Sequence, residues 1–344
     1  MKVLYVGGTG EISTACVWRS TEVGHEVHVF NRGRAGEPLP PEVRRITGDL
    51  DDAAAYAALG EGCYDVVCQF VAYDLARVER DARVFGGRCG QYIFISTASA
   101  YRKPPRQYVI TEAVPLGNPF WLYSQAKADM EAYLVRQHAS GRLPVTIVRP
   151  SHTHRTRFPG GIAGGDDWAW RMLSGRPVIL HGDGTSLWTL TYSTDFAVPF
   201  VNLFGKPAAR GEAFHITRHL EAHMWNDIMA AMGRALGAQP RIVHVPTETL
   251  VQYNSAWAGP LLGDKAWPVI FDNSKVMSVA GRFECEVSME DGLRRAAEQY
   301  FKHRAAAYKP DAARHALLDR IAAEQEALGR NGGPTDGNVV IHRL

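Results

Sequence analysis

Short apolar runs alternate with longer amphipathic segments over the first 150 residues of the chain. KVLYV at 2–6, EVHVF at 26–30, VRRIT at 43–47, YDVVCQFVA at 64–72, QYIFIS at 91–96 and VTIVRP at 145–150 have the length and Val/Ile content of strands. Between most of them, segments 11–23, 52–59, 74–86 and 122–137 are long enough to be crossover helices. The strands show little polar alternation, which predicts a parallel sheet covered by helices on both faces. After residue 150 the rhythm breaks. FPGGIAGGDDWAW at 158–170 and WAGPLLGDKAWP at 257–268 read as irregular walls around a site, the stretch from about 310 as one amphipathic helix, and NGGPTDGN at 331–338 as a loose tail.

With 344 residues, 46% of them hydrophobic, the chain can bury the core of one large domain or two modest ones. Its 38 Lys+Arg against 36 Asp+Glu leave a formal charge of +2, too little to recruit nucleic acid or an anionic membrane, so a small-molecule partner is expected. MKVLYVGG carries no apolar stretch of signal-peptide or membrane-spanning length. The five cysteines are scattered, odd in number and without a CxxC pair. Both features predict a cytoplasmic protein with reduced thiols.

The first strand runs directly into GGTGEIS at 7–13, which opens a helix. That context suits a dinucleotide loop: glycines let the backbone approach a pyrophosphate, and the helix N-terminus supplies donors and a favourable dipole. Two registers fit, Gly7-x-x-Gly10-x-x-Ser13 and Gly8-x-Gly10-x-x-Ser13. The plain alternative is a tight turn with Thr9 capping the helix. Glu11 would repel a pyrophosphate, so its carboxylate is expected to point away from it. Where a NAD site usually carries an acid for the ribose, the second strand ends in Phe30, Asn31, Arg32 and Gly33. Arg32 could pair with a 2′-phosphate, which favours NADP with NAD still possible, or it is a solvated arginine. Asp49, in GDL at 48–50, either accepts from an adenine amine or caps the next helix.

Together GGTGEIS, GD at 48–49, FISTASAY at 94–101, YSQAK at 123–127, IVRP at 147–150, HGDGTSLWTLTYSTD at 181–195 and SMEDGLRR at 288–295 resemble the extended short-chain dehydrogenase/reductase family over about residues 1–305. The likeness is to its NAD-dependent epimerase/dehydratase, sugar-nucleotide-modifying branch. It implies an α/β fold: a doubly wound Rossmann parallel sheet (1–150 and about 185–217), a smaller, discontinuous substrate lobe (151–184 and 218–305), and a C-terminal helix and tail (306–344). It implies Tyr123 as acid/base, Lys127 on the nicotinamide ribose and Thr97 on the substrate hydroxyl, with Ser96 and Ser99 able to share that role. The cofactor cleft would comprise Gly7, Gly8, Thr9, Gly10, Glu11, Ile12, Asn31, Arg32, Asp49, Leu50, Phe70, Val71, Ala72, Ser96, Tyr123, Lys127, Pro150, Ser151 and His152. Substrate would meet Ser99, His152, His154 and Trp188. A homodimer through segments 74–86 and 122–137 is implied too, with Val78, Val84, Phe85, Met130, Tyr133 and Leu134 as its apolar positions.

The residue types fit that chemistry. Side chains four apart share one helix face. A free phenol has a pKa of about 10, so deprotonation near neutrality needs roughly 3 units, or ~4 kcal/mol, from the surroundings. Lys127 and an oxidised nicotinamide are the positive charges expected to provide it. After Thr97 come Ala98 and Ser99, not the acidic pair of a 4,6-dehydratase, which disfavours that reaction. Trp188 stands where sugar-nucleotide members carry an arginine for the diphosphate; Arg155, Arg157 or Arg218 could compensate, or Trp188 stacks on a ring or is core. The HxH pair of His152 and His154 lacks a third ligand nearby, so no metal site is expected. The implied activity is hydride transfer at a secondary alcohol of a sugar-like compound, free or nucleotide-linked, by an oxidoreductase or epimerase. Two alternatives stand beside it: a dehydrogenase or reductase of a non-nucleotide metabolite, and a non-catalytic nucleotide-binding or RNA-associated relative.

Overall fold

The computed structural model describes residues 1–33 and 38–331; the tail expected after 331 lies outside them. Strands β1 (Lys2–Val6), β2 (Glu26–Asn31), β3 (Arg44–Thr47), β4 (Tyr64–Gln69) and β5 (Cys89–Ile95) join Val145–Pro150 and Ala213–Ile216 in one sheet. Every pairing in it is parallel. From one edge to the other the order is Ala213–Ile216, Val145–Pro150, β5, β4, β1, β2, β3. All six strands predicted from the apolar runs are present. Ala213–Ile216 was not among them: AFHI is only four residues long and interrupted by His215. That imidazole is buried and held by the Tyr101 hydroxyl at 3.0 Å and the Asp272 carbonyl at 2.8 Å.

Alternation along the strands explains the two covered faces. Val3 and Tyr5 point into a core with Val66, Ile93, Val17 and Phe200; Leu4 and Val6 point the other way, into a core with Val67, Phe94, Val78 and Met130. Helix α1 (Ser13–Glu22) and the helix Ser193–Asn202 therefore cover one face, and α2 (Ala53–Ala57), α3 (Leu75–Phe85) and α4 (Leu122–Ala139) the other. Apolar residues occupy both alternating sets, which is why no polar alternation shows in the sequence.

A third core, with Trp168, Trp188 and Trp225 at its centre, builds the smaller lobe. It takes in Tyr101 and Ile110 from the connection between β5 and α4, where Val109–Ile110 pairs with Ile270–Phe271. It also takes in Leu318, Ile321 and Ala322 of the helix Ala312–Asn331. The terminal helix is thus packed into the lobe rather than standing apart. Segments 158–170 and 257–268 are less irregular than expected, containing the helix Gly165–Leu173 and a π-helical turn at Leu261–Lys265.

The apolar positions chosen for a dimer contact are mostly internal. Val78, Met130 and Leu134 are 0% exposed and Phe85 is 1% exposed, so they fasten α3 and α4 to their own sheet. Leu75, Leu122 and Val135 are the exposed large apolar residues of these helices.

Candidate active site

The strand order reverses between β1 and β4, so the connections leaving their C-terminal ends diverge to opposite faces and open a crevice. Gly7, directly after β1, has φ +83° and lies so close to the next loop that a Cβ would sit 2.5 Å from a Val71 methyl. Gly8 has no room either, since a Cβ would be 2.8 Å from Val29. Only glycine meets both demands. Thr9 does not cap α1; instead the Gly10 N–H donates to Ser13 Oγ at 2.9 Å and the Thr14 hydroxyl donates to the Gly10 carbonyl.

Two adjoining cavities of about 470 and 460 Å³ follow the crevice and share Gly7, Thr9, Val71 and Tyr73. Asn31, Arg32, Asp49 and Leu50 line the first. Asp49 is not the cap of α2, a role filled by Asp52; its carboxylate accepts from the Asp51 N–H at 3.0 Å. Gly10, Glu11, Ile12, Phe70, Ser96, Thr97, Tyr123, Lys127, Pro150 and Ser151 line the second. Gly8 and Ala72 are buried behind the wall, although the Ala72 carbonyl accepts from Lys127. Ser96 Oγ is buried with no hydrogen-bond partner among the described residues, a donor available to a bound group. Tyr73, Arg77 and Asp51 also line the first cavity. These three were missed, because nothing in their local sequence marks them; Asp74 caps α3 and turns Arg77 back toward Asp51.

Thr97, Tyr123 and Lys127 converge on one wall. Thr97 Oγ1 lies 3.0 Å from Ser99 Oγ, which lies 2.7 Å from Ser124 Oγ on α4. The Ser99 hydroxyl thus fixes Thr97 against the helix that carries Tyr123, and Ser124 is a supporting residue the motif did not reveal. The Lys127 ammonium, 2% exposed, donates to the Ala72 carbonyl at 2.9 Å and the Ile95 carbonyl at 2.7 Å. It ties α4 to the ends of β4 and β5. Burial pushes it down to about 7, with the Glu131 carboxylate pulling the other way. The Tyr123 phenol is pushed up to about 12, first by burial and then by Tyr73, while Thr97 works against the rise. The expected lowering by Lys127 does not arise within the chain itself: the ammonium is held by two carbonyls, 5.9 Å from the Tyr123 ring centre.

Residues expected at the substrate lie deeper. Trp188 is 1% exposed and packs at 5.5 Å against Trp225, with the Lys265 ammonium 5.2 Å from its ring centre. His154 is buried edge-on to Tyr192 and held neutral, burial pushing it down to about 4 against the pull of Glu11. His152 is part-buried beside Trp188, its pKa lowered well below the usual range by burial and then by Lys265. No group of three metal-ligating side chains occurs among the described residues. Of the three arginines, Arg218 is engaged with the Val287 carbonyl at 2.6 Å and Glu221 at 2.9 Å. Arg157 stands 3.9 Å from Asp166. Glu11 turns its carboxylate to the 155–157 loop, accepting from the N–H groups of Arg155 at 3.0 Å, Thr156 at 2.8 Å and Arg157 at 3.3 Å, and from the Thr156 hydroxyl. Burial would raise its pKa, but these bonds outweigh it and hold the carboxyl below its usual range.

The Lys127 environment gives a signed pH effect. The folded group releases its proton at about 7 and the unfolded one at 10.5, so between those values the unfolded chain holds more protons and stability rises with pH. Tyr123 acts oppositely, lowering stability only above its ordinary value of 10. Urea unfolding at about pH 7 and about pH 9.5 should show a gain of about 3 kcal/mol that Lys127→Met loses. Equal pH slopes for the two proteins would refute the shift.

The family model for the NAD dependent epimerase/dehydratase family matches residues 3–217. A 2'-dehydrokanamycin reductase from Streptomyces kanamyceticus is 25% identical over 283 residues, 79% of this chain and 77% of its own. A chloroplast stem-loop binding protein of 41 kDa from Arabidopsis thaliana is 26% identical over 261 residues, 71% of this chain and 65% of its own. Among solved structures, Pal from Bacillus thuringiensis superposes with a TM-score of 0.71 at 21% identity, covering 88% of this chain and 99% of that one. The UDP-glucose 4-epimerase of Thermotoga maritima, solved with UDP-glucose, gives 0.68 at 22% identity over 88% and 99%. With the glycine crevice, the Thr97–Tyr123–Lys127 wall and a family match over more than half its length, the chain belongs to the NAD-dependent epimerase/dehydratase family.

Proposed function

We propose that the protein is an NAD(P)-dependent oxidoreductase or epimerase that transfers hydride at a secondary alcohol carbon of a sugar-like compound. The convergence of Thr97, Tyr123 and Lys127 on a cavity whose other wall is the glycine loop carries this reading. Gly7, Thr9 and Gly10 would hold the pyrophosphate, Asn31, Arg32, Asp49 and Leu50 the adenosine side, and Ser96, Tyr123, Lys127, Pro150 and Ser151 the nicotinamide side. When bound, the dinucleotide supplies the hydride acceptor or donor and, if oxidised, a positive charge. Tyr123 exchanges the hydroxyl proton of the substrate. Thr97, fixed through Ser99 and Ser124, orients that hydroxyl. A phenol pushed up to about 12 is protonated at neutral pH, so it is set to give its proton to a nascent alkoxide.

A second reading, reduction of a non-nucleotide ketone, draws on Trp188. A buried indole offers no fork for a diphosphate where sugar-nucleotide enzymes place arginine. The reductase among the relatives points the same way. A 4,6-dehydratase remains disfavoured, since Ala98 has no proton to move and Ser99 is bonded to Ser124.

Tyr123→Phe should leave dinucleotide affinity nearly unchanged and lower turnover by roughly two to four orders of magnitude, read as nicotinamide absorbance against a panel of ketones and nucleotide sugars. Normal turnover by that variant would exclude the mechanism. Arg32 is exposed on the first cavity and Asn31 brings no negative charge, so NADP should bind roughly 10- to 150-fold more tightly than NAD. Arg32→Ala should erase most of that gap with little change for NAD; calorimetry showing equal or tighter NAD binding by the parent protein refutes the preference. Two copies are proposed to pair through α3 and α4, on the exposed Leu75, Leu122 and Val135. A monomeric mass by light scattering at micromolar concentration would remove that pairing.

A further inference from the structure

Away from the dinucleotide crevice, the connection between β5 and α4 holds charge that the fold does not use. Lys103 is 5% exposed, yet its ammonium has no hydrogen bond or ion-pair partner among the described residues. Burying an ammonium in this way costs free energy unless something compensates. Burial depresses its pKa, and the Asp264 carboxylate pulls back without reaching contact distance. An apolar side chain of similar length would avoid that cost at this position.

The surroundings have the same bias. Lys103 lines a cavity of about 570 Å³ together with Arg102, Arg106, Gly117, Asn118 and Gln125, and no carboxylate contributes to the lining. Neither guanidinium has an ion-pair partner among the described residues. The neutral polar groups, by contrast, are occupied: Asn118 Nδ2 donates to the Ser99 carbonyl at 2.7 Å and the Gly263 carbonyl at 2.6 Å, and Gln125 Nε2 donates to the Asn118 carbonyl at 3.0 Å. Three cations are left over, two of them planar forks of the kind that match a phosphoryl or carboxylate group. Asn118 fixes their floor to Ser99, which bonds Ser124 beside Tyr123, so the cavity stands one layer behind the reacting residues.

We propose that this cavity, formed by Arg102, Lys103 and Arg106, is a binding site for a phosphoryl or carboxylate group, separate from the dinucleotide crevice. Such a group arrives either on the substrate or as a free anion. The test uses the full chain saturated with NAD, so that the pyrophosphate cradle is filled, and titrates inorganic phosphate calorimetrically at low ionic strength. One equivalent should bind. Lys103→Met and the exposed-site variant Arg106→Glu should each weaken it roughly tenfold or more while NAD affinity stays unchanged. Lys103→Met should also unfold at a temperature no lower than the parent, because it removes a desolvated charge. Phosphate that raises KM without changing kcat assigns the site to an anionic group of the substrate; phosphate that binds without altering KM assigns it to a free anion. No saturable phosphate binding, binding of equal strength in the parent and both variants, or a clear loss of stability in Lys103→Met would overturn the proposal.

Discussion

Everything in this molecule follows from a sheet in which each pair of neighbours is parallel. Parallel strands cannot be joined by a tight turn, so each connection must cross a face and bury itself there. The reversal of direction between β1 and β4 then leaves one place where no connection covers the strand ends. Gly7 and Val71 face each other across it at a distance that only a missing Cβ allows. The crevice is a consequence of connectivity, and the side chains that line it are those that happen to end these strands.

Lys127 fixes one wall of that crevice. Its two bonds to the Ala72 and Ile95 carbonyls satisfy main-chain acceptors at the ends of β4 and β5 and anchor α4 with Tyr123 one turn earlier. The arrangement costs solvation, which is why the ammonium is pushed down and the phenol up. A site this dry strengthens any charge brought into it. Positioning comes from the chain; the charge that would bring the phenol within reach of neutrality has to come with the cofactor.

Glu11 links the two lobes. A carboxylate inside the glycine loop looks wrong for a pyrophosphate site, yet three consecutive N–H groups at 155–157 enclose it. The Ser193 hydroxyl reaches the Glu11 carbonyl and that of His154, and Arg304 joins the Thr156 carbonyl to Asp166. The glycine loop and the start of the smaller lobe are therefore one hydrogen-bonded unit.

Features that depend on near neighbours are legible in the sequence: six of the sheet strands, their crossover helices, the glycine turn after β1, and the shared helix face of Tyr123 and Lys127. Each is written in a short-range rule of periodicity, steric room or helical spacing. The remaining features arise from residues far apart in the chain that folding brings together. Glu11 meets Thr156 across 145 positions, so its purpose could be stated from sequence only as turning away from phosphate. Trp188 is enclosed by Trp225 and Lys265, and His154 by Tyr192 and Gly292, contacts that no local pattern announces. Tyr73 and Arg77 reach the cofactor cavity because β4 stands beside β1, and Val78 and Met130 lie inside because α3 and α4 face the same strands. That Lys103 is buried without a partner among the described residues is likewise invisible in the sequence, because both are properties of the packed chain and not of the residue.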